Sequence, residues 1–416
     1  MTGRPRARPG CAQGIVVPDP VELARALVRC PSVTPRDEGA LDIISEAAAR
    51  MGFEVFRLPF ESPGTARVDN LFAIRAFGPR PQDGPHICFA GHSDVVPVAR
   101  PDRWRVDPFA GEVVDGVLVG RGAADMKGAI AAALSAIAGF LAEVEAAAPE
   151  APSGRLSLLI TGDEEGPALN GTRRVLEWMA ARGHVPDFCL VGEPTSRVRV
   201  GDTVKIGRRG SLNGHLVVEG VEGHVAYPQL ADNAIPKLLR LLDALLAEPL
   251  DRGTAVFEPS NLEITDISVG NHAHNVIPGR AEALFNIRFN DLHTGDSLVR
   301  WLREKLDATG LPYALDVHVS GEAFVTPPGP GLRALVEAIR AETGTEPELS
   351  TSGGTSDARF IKDHCPVVEC GLVGATMHKA NECAPVADIA ALARIYRRFF
   401  REAARALAPG PVAGDR

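Results

Sequence analysis

The sequence predicts an α/β protein: a mixed, mainly parallel sheet flanked by helices, with a smaller ferredoxin-like βαββαβ domain inserted into it. Three observations lead there. Up to about Arg208, short apolar runs bounded by turn residues alternate with helical patterns, as in a parallel sheet wound with helices. From Arg208 the order becomes strand, helix, two strands, helix, strand, which is the ferredoxin-like order. From about Thr326 the first pattern resumes, so the chain divides into a tail (1–18), a first α/β part (19–207), an inserted domain (208–323) and a second α/β part (324–410). At 416 residues the chain is long for a single core.

The elements follow in order. Residues 21–52 read as an amphipathic helix, a turn at CPSVTPRDEG and a second helix. NLFAIRAFG, PHICFAGHSDVVP, RLSLLITGDEEG and FCLVGEPT read as strands. The unbroken apolar run Leu158–Ile160 implies a strand dry on both faces. DMKGAIAAALSAIAGFLAEVE and LNGTRRVLEWMAARG are helices; the uncharged stretch Gly128–Ala142 is too short and too Ala-rich for a bilayer span and reads as a buried helix. In the inserted segment GSLNGHLVVEG, NLEITDISVG, AEALFNIRFND and YALDVHVSG are strands, and NAIPKLLRLLDALLAE and GDSLVRWLREKLDATG are helices.

Composition excludes several classes. The formal charge of −9 argues against a nucleic-acid protein. Seven scattered cysteines without a CxxC pair indicate neither a disulfide framework nor a thiolate zinc site, and free thiols suit a reducing cytoplasm. The basic N-terminus MTGRPRARPGCAQG lacks a following apolar segment, so it reads as a disordered tail and not a secretory signal. There is no HExxH helix, no GxSxG elbow and no GxxxxGK[ST] phosphate loop. GRGAAD starts like a dinucleotide turn but puts Asp125 where the third glycine belongs.

What remains is a scattered set of acids and histidines at predicted strand ends. His92 and Asp94 are two apart on one strand face, either a metal ligand with its orienting carboxylate or a strand-end pair at the surface. Asp125 stands at the entry of the apolar helix, where capping is the ordinary role. Glu164 and Glu165 follow a buried strand, Glu193 closes another, and His378 follows VVECGLVG. Each alone has a bland reading as a turn, a cap or a core histidine. Jointly they lie at the carboxyl ends of strands in one sheet, where open α/β sheets bind ligands. Oxygen and imidazole donors without thiolate suit a hydrolytic zinc or cobalt pair, whose charge would make adjacent carboxylates tolerable. One of the two glutamates would then hold metal while its neighbour faces the attacking water.

These residues, and the phrases GRGAADMKG, LLITGDEEG, LVGEPTS, KIGRRGS, GHVAYP, NVIP, FNIRFN, TSGGTSDARFI and HKANEC, resemble the M20 metallopeptidase family of two-zinc deacylases. The resemblance runs from about Val21 to the final helix. It implies two Zn2+ per chain, with Co2+ as a substitute: His92 and Glu193 on one, Glu165 and His378 on the other, Asp125 bridging. It further implies Asp94 orienting His92, Glu164 as general base, a cis Asp125–Met126 peptide, and His224 holding the oxyanion in the other subunit of a homodimer. Arg208 and Arg288 offer guanidinium forks for carboxylates, and Gly354 with Thr355 a loop of amides and a hydroxyl. Tyr227 and Asn275 also match family positions, although His274 departs from the small polar residue or Asn common there. The implied substrate is the small anion N-succinyl-LL-2,6-diaminopimelate, with N-acetylornithine or another N-acyl amino acid as the alternative. Neither nucleic acid nor membrane is expected as a partner.

Overall fold

The computed structural model describes residues 14–408, so the part of the expected tail before residue 14 lies outside the described residues. The chain forms two compact units: Met1–Val204 with Pro328–Glu348 and His364–Arg416, and Lys205–Pro327 with Leu349–Asp363.

The first unit begins with α1 (Pro20–Val28) and α2 (Ala40–Arg50), then β1 (Glu54–Arg57), β2 (Leu71–Phe77) and β3 (His86–His92). It continues with α3 (Gly128–Ala147), β4 (Gly154–Thr161), α4 (Thr172–Ala180) and β5 (Phe188–Val191). Six of its strands, including Val367–Glu369, pair in the order β1-β2-β4-β3-β5-(Val367–Glu369). The inner pairings β4–β3, β3–β5 and β5–(Val367–Glu369) are parallel; β1 and β2 add antiparallel at the edge. The expected mainly parallel sheet is therefore present. Every residue of β3 is buried, as strands covered by helices on both faces must be.

The helical run Ala123–Ala147 is long and apolar enough to cross a membrane by length and composition, but 78% of its most apolar window lies inside the fold. Its alanines let neighbouring backbones come close, and α3 packs on α1 and on the closing helix Val386–Ala406. Asp125 does not cap α3. Its backbone is non-helical, the helix starts at Gly128, and the Asp125–Met126 peptide is cis.

The second unit holds β6 (Gly210–Glu219), α5 (Ala234–Leu246), β7 (Asn261–Ser268), β8 (Arg280–Phe289), α6 (Gly295–Asp307) and β9 (Ala314–Gly321). The strands pair antiparallel in the order β7-β8-β6-β9. Numbered within the unit this is 2-3-1-4, the ferredoxin-like sheet. Leu238, Leu241, Leu242 and Leu245 of α5 and Leu298, Leu302 and Leu306 of α6 recur every three or four residues and bury against Phe285, Ile287 and Phe289.

His86, at the start of β3, is fully buried, with Nε2 2.8 Å from Ser157 Oγ and Nδ1 3.2 Å from Val185 O. Burial, helped by the Arg155 charge, pushes its pKa down to about 4. The unfolded chain takes up this proton near pH 6.5 and the folded chain only near 4. Stability is thus intact above 6.5 and falls as pH drops toward 4, by ~3 kcal/mol when complete. Denaturant titrations of the metal-free protein at pH 7, 5.5 and 4.5 should show His86→Gln losing less stability over that range than the wild type.

Candidate metal centre

Parallel register explains why dispersed residues meet. His92 pairs with Thr161 and Ala90 with Val191, so β3, β4 and β5 end at one edge and deliver His92, the Gly162–Glu165 turn and Glu193 together. The loop before α3 adds Asp125, and the loop after Val367–Glu369 adds His378, which adopts a left-handed backbone (φ 61°). Met126 packs across the strand ends. A Cβ on Gly91 or Gly192 would lie 2.4 or 2.7 Å from its Cε, so glycine at both positions lets that side chain seat beside Asp125.

The two oxygens of Asp125 face different histidines: Oδ1 is 3.1 Å from His92 Nε2 and Oδ2 is 3.3 Å from His378 Nε2. Glu193 Oε1 stands 3.7 Å from His92 Nε2, and Glu165 Oε1 stands 2.9 Å from His378 Nε2. Three overlapping sets, His92–Asp125–Glu193, Asp125–Glu165–His378 and His92–Glu164–Glu165, each keep their donor atoms within 4.8 Å. All five dispersed candidates therefore converge in one cluster. The hydrogen bonds of Asp125 and Glu165 lift His378 to about 10. Burial opposes protonation of His92, yet Asp125 and the charges of Glu193 and Glu164 hold it well above its ordinary value. A centre negative enough to keep two imidazoles protonated is one in which divalent cations would displace those protons. The donor set of imidazoles and carboxylates, free of thiolate, fits zinc-class ions.

Around the cluster the structure adds supports. The strand ends at His92, so Asp94 lies past it and does not share its face by pleating. Asp94 reaches the ring through its backbone oxygen, 2.9 Å from His92 Nδ1, with Oδ1 at 3.6 Å. Its carboxylate also accepts the backbone N–H groups of Glu164 and Glu165. Of the three consecutive acids, Asp163 turns away and accepts from Leu169 and Asn170 N–H, closing the loop. Asn70, unremarked in sequence, is fully buried and accepts from Thr161 Oγ1 and Gly162 N. Glu382 and Arg121, also passed over, form a buried ion pair.

The remaining candidates lie in the second unit. Arg208 is buried and donates to Gly354 O at 3.0 Å; Thr355 Oγ1 accepts from Arg359 at 3.0 Å. Lys205, within KIGRRGS, donates to Ser350 at the end of the strand Glu348–Ser350 and to Ser352 in the loop that follows. Arg288 is half-buried on β8, where burial and then the charge of Arg209 pull its pKa down. His224, Tyr227 and Asn275 form a separate exposed group: the His224 and Tyr227 rings are 5.7 Å apart, and Val225 N donates to Asn275 O.

Comparison with known proteins agrees with this geometry. The profile of peptidase family M20/M25/M40 matches residues 88–402. A succinyl-diaminopimelate desuccinylase of Rhodospirillum centenum is 57% identical over 382 residues, covering 92% of this chain and 96% of the relative. The Parvibaculum lavamentivorans protein of the same name is 54% identical over 387 residues, covering 92% and 95%. Among solved structures, the M20 metallo-carboxypeptidase Sso-CP2 of Sulfolobus solfataricus superposes with TM-score 0.73 at 16% identity, covering 93% of this chain and all of that one. The YXEP protein of Bacillus subtilis, a dinuclear metal-binding M20 peptidase, gives 0.66 at 17% identity, covering 93% and 97%.

Proposed function

The chain belongs to peptidase family M20/M25/M40 and is a metal-dependent amide hydrolase, and from that premise we propose that it cleaves N-succinyl-LL-2,6-diaminopimelate to succinate and LL-2,6-diaminopimelate. Relatives more than half identical over nine-tenths of the chain carry that activity in their names, which supports a role in diaminopimelate and lysine biosynthesis. The observation that carries the chemistry is the shared carboxylate of Asp125, each oxygen turned to its own histidine–glutamate pair.

We assign His92 and Glu193 to one ion, Glu165 and His378 to the other, and Asp125 to both; zinc fits the donors, and cobalt would substitute. When bound, such a pair polarises the amide carbonyl and acidifies water. Glu164 takes a proton from the attacking water as the C–O bond forms, then hands it to the amine nitrogen as the C–N bond breaks. Asp94 keeps the His92 ring oriented and fixes the Glu164–Glu165 backbone. His224 is assigned to the oxyanion, contributed by a second copy of the chain in a cytoplasmic homodimer. Arg208, Arg288, Gly354 and Thr355 are assigned to substrate carboxylates, with Tyr227 and Asn275 as further polar contacts. Buried, reduced thiols at Cys88, Cys189, Cys365 and Cys370 support a reducing compartment.

Turnover on N-succinyl-LL-2,6-diaminopimelate and on N-acetylornithine, each with and without chelator, tests the reading. The succinyl substrate should win by at least ~100-fold in kcat/KM, because its three carboxylates use cations that the single carboxylate of N-acetylornithine leaves unpaired. Chelator should abolish both activities. Preference for N-acetylornithine would overturn the substrate assignment.

A further inference from the structure

Glu382 and Arg121 lie 261 residues apart in sequence yet form an ion pair of 2.6 Å whose side chains are 1–2% exposed. The other carboxylate oxygen of Glu382, Oε1, accepts two backbone N–H groups, Ala124 and Asp125, both at 3.1 Å. Its backbone oxygen accepts from Gly120 N at 2.9 Å. Arg121 in turn lies 5.4 Å over the Trp104 ring and reaches toward Lys379 O. Glu382 is four residues past His378, on the same loop. The segment that carries one proposed ligand therefore grips the backbone of another.

We propose that Glu382 is a positioning residue for the cation held by Asp125, Glu165 and His378: it sets the spacing between Asp125 and His378 by clamping the Ala124–Asp125 amides, while Arg121 neutralises its buried charge. This rests on the two-ion reading above. The geometry decides which partner does what. The amides need an acceptor of glutamate reach, whereas the guanidinium is needed only because that acceptor is anionic. Removing Arg121 alone would leave a buried carboxylate uncompensated and damage folding generally. His378 shares its loop with Glu382, whereas His92 and Glu193 are presented by the ends of β3 and β5, so their ion should be the less affected of the two.

The test is calorimetric titration of metal-stripped protein with Zn2+, reading stoichiometry and the two dissociation constants, with circular dichroism as a check on folding. Glu382→Asp keeps the charge against Arg121 but shortens the arm. One ion should bind as in the wild type, and the other 10–100-fold more weakly, as for other residues that orient ligands. Arg121→Met/Glu382→Gln removes both charges and keeps an acceptor of full length, and should hold both ions within about threefold of the wild type. Glu382→Asp binding both ions normally would overturn the proposal, as would loss of the weaker ion from the double variant. Wild-type protein taking up no more than one Zn2+ per chain would instead sink the two-ion reading, and this inference with it.

Discussion

Glu164→Ala should lose at least ~100-fold and up to ~10,000-fold in kcat, the range for removing a general base, while still binding as many ions per chain as the wild type. The two halves of that result depend on each other. Glu164 lies in a ligand-capable set with His92 and Glu165, so a direct role in holding metal is a concrete rival. Against it, Asp125, Glu165, Glu193 and the two histidines already supply two complete donor sets that share Asp125. The Glu164 backbone is fastened to Asp94 independently of its side chain, so truncation at Cβ removes a carboxylate without releasing the turn that presents Glu165. KM should change little, since the lost interaction matters at proton transfer and not in ground-state binding. Metal analysis beside the kinetic assay decides: full activity loss with full metal content identifies the base, and loss of an ion together with activity would make Glu164 a ligand.

Much of this was legible in the sequence because its signals are local or periodic. The continuous apolar runs gave β3, β4 and β5, and the leucines of α5 and α6 repeat at helical spacing. Acids placed directly after those runs were bound to meet, since parallel strands in register end at one edge. What stayed hidden had no such signature. The strand Glu54–Arg57 is four residues with no buried position, too short for periodicity to show. The division of labour in Asp163–Glu164–Glu165 depends on where the turn points each side chain; Asp163 closes the loop through amides six and seven residues on. Asp125 looked like a helix cap because it precedes an apolar helix, and only the non-helical backbone at 125–126 turns it toward the histidines. Glu382 was invisible because its importance comes from Arg121 and two amides more than 250 residues earlier.

Removing Asp125, the carboxylate assigned to both ions, should have the widest consequence. Asp125→Ala should leave fewer than one ion per chain at concentrations that saturate the wild type, whereas Glu193→Ala and His378→Ala should each retain about one. The asymmetry follows from geometry: Glu193 stands only with the His92 set and His378 only with the Glu165 set, while Asp125 belongs to both. All three variants should lose turnover, so activity cannot separate them, but thermal melts can. An ion present at about a thousandfold its dissociation constant adds about 4 kcal/mol to the folded state, so two should add roughly 8. Chelator should then lower the wild-type Tm by the most, lower that of Glu193→Ala and His378→Ala by about half as much, and leave Asp125→Ala unmoved. An Asp125→Ala protein that still takes up two ions and still responds to chelator would mean that each oxygen of Asp125 merely hydrogen-bonds its histidine. In that case His92 with Glu193 and Glu165 with His378 would each hold a cation without a shared carboxylate, and the assignment of Asp125 to both ions would fall.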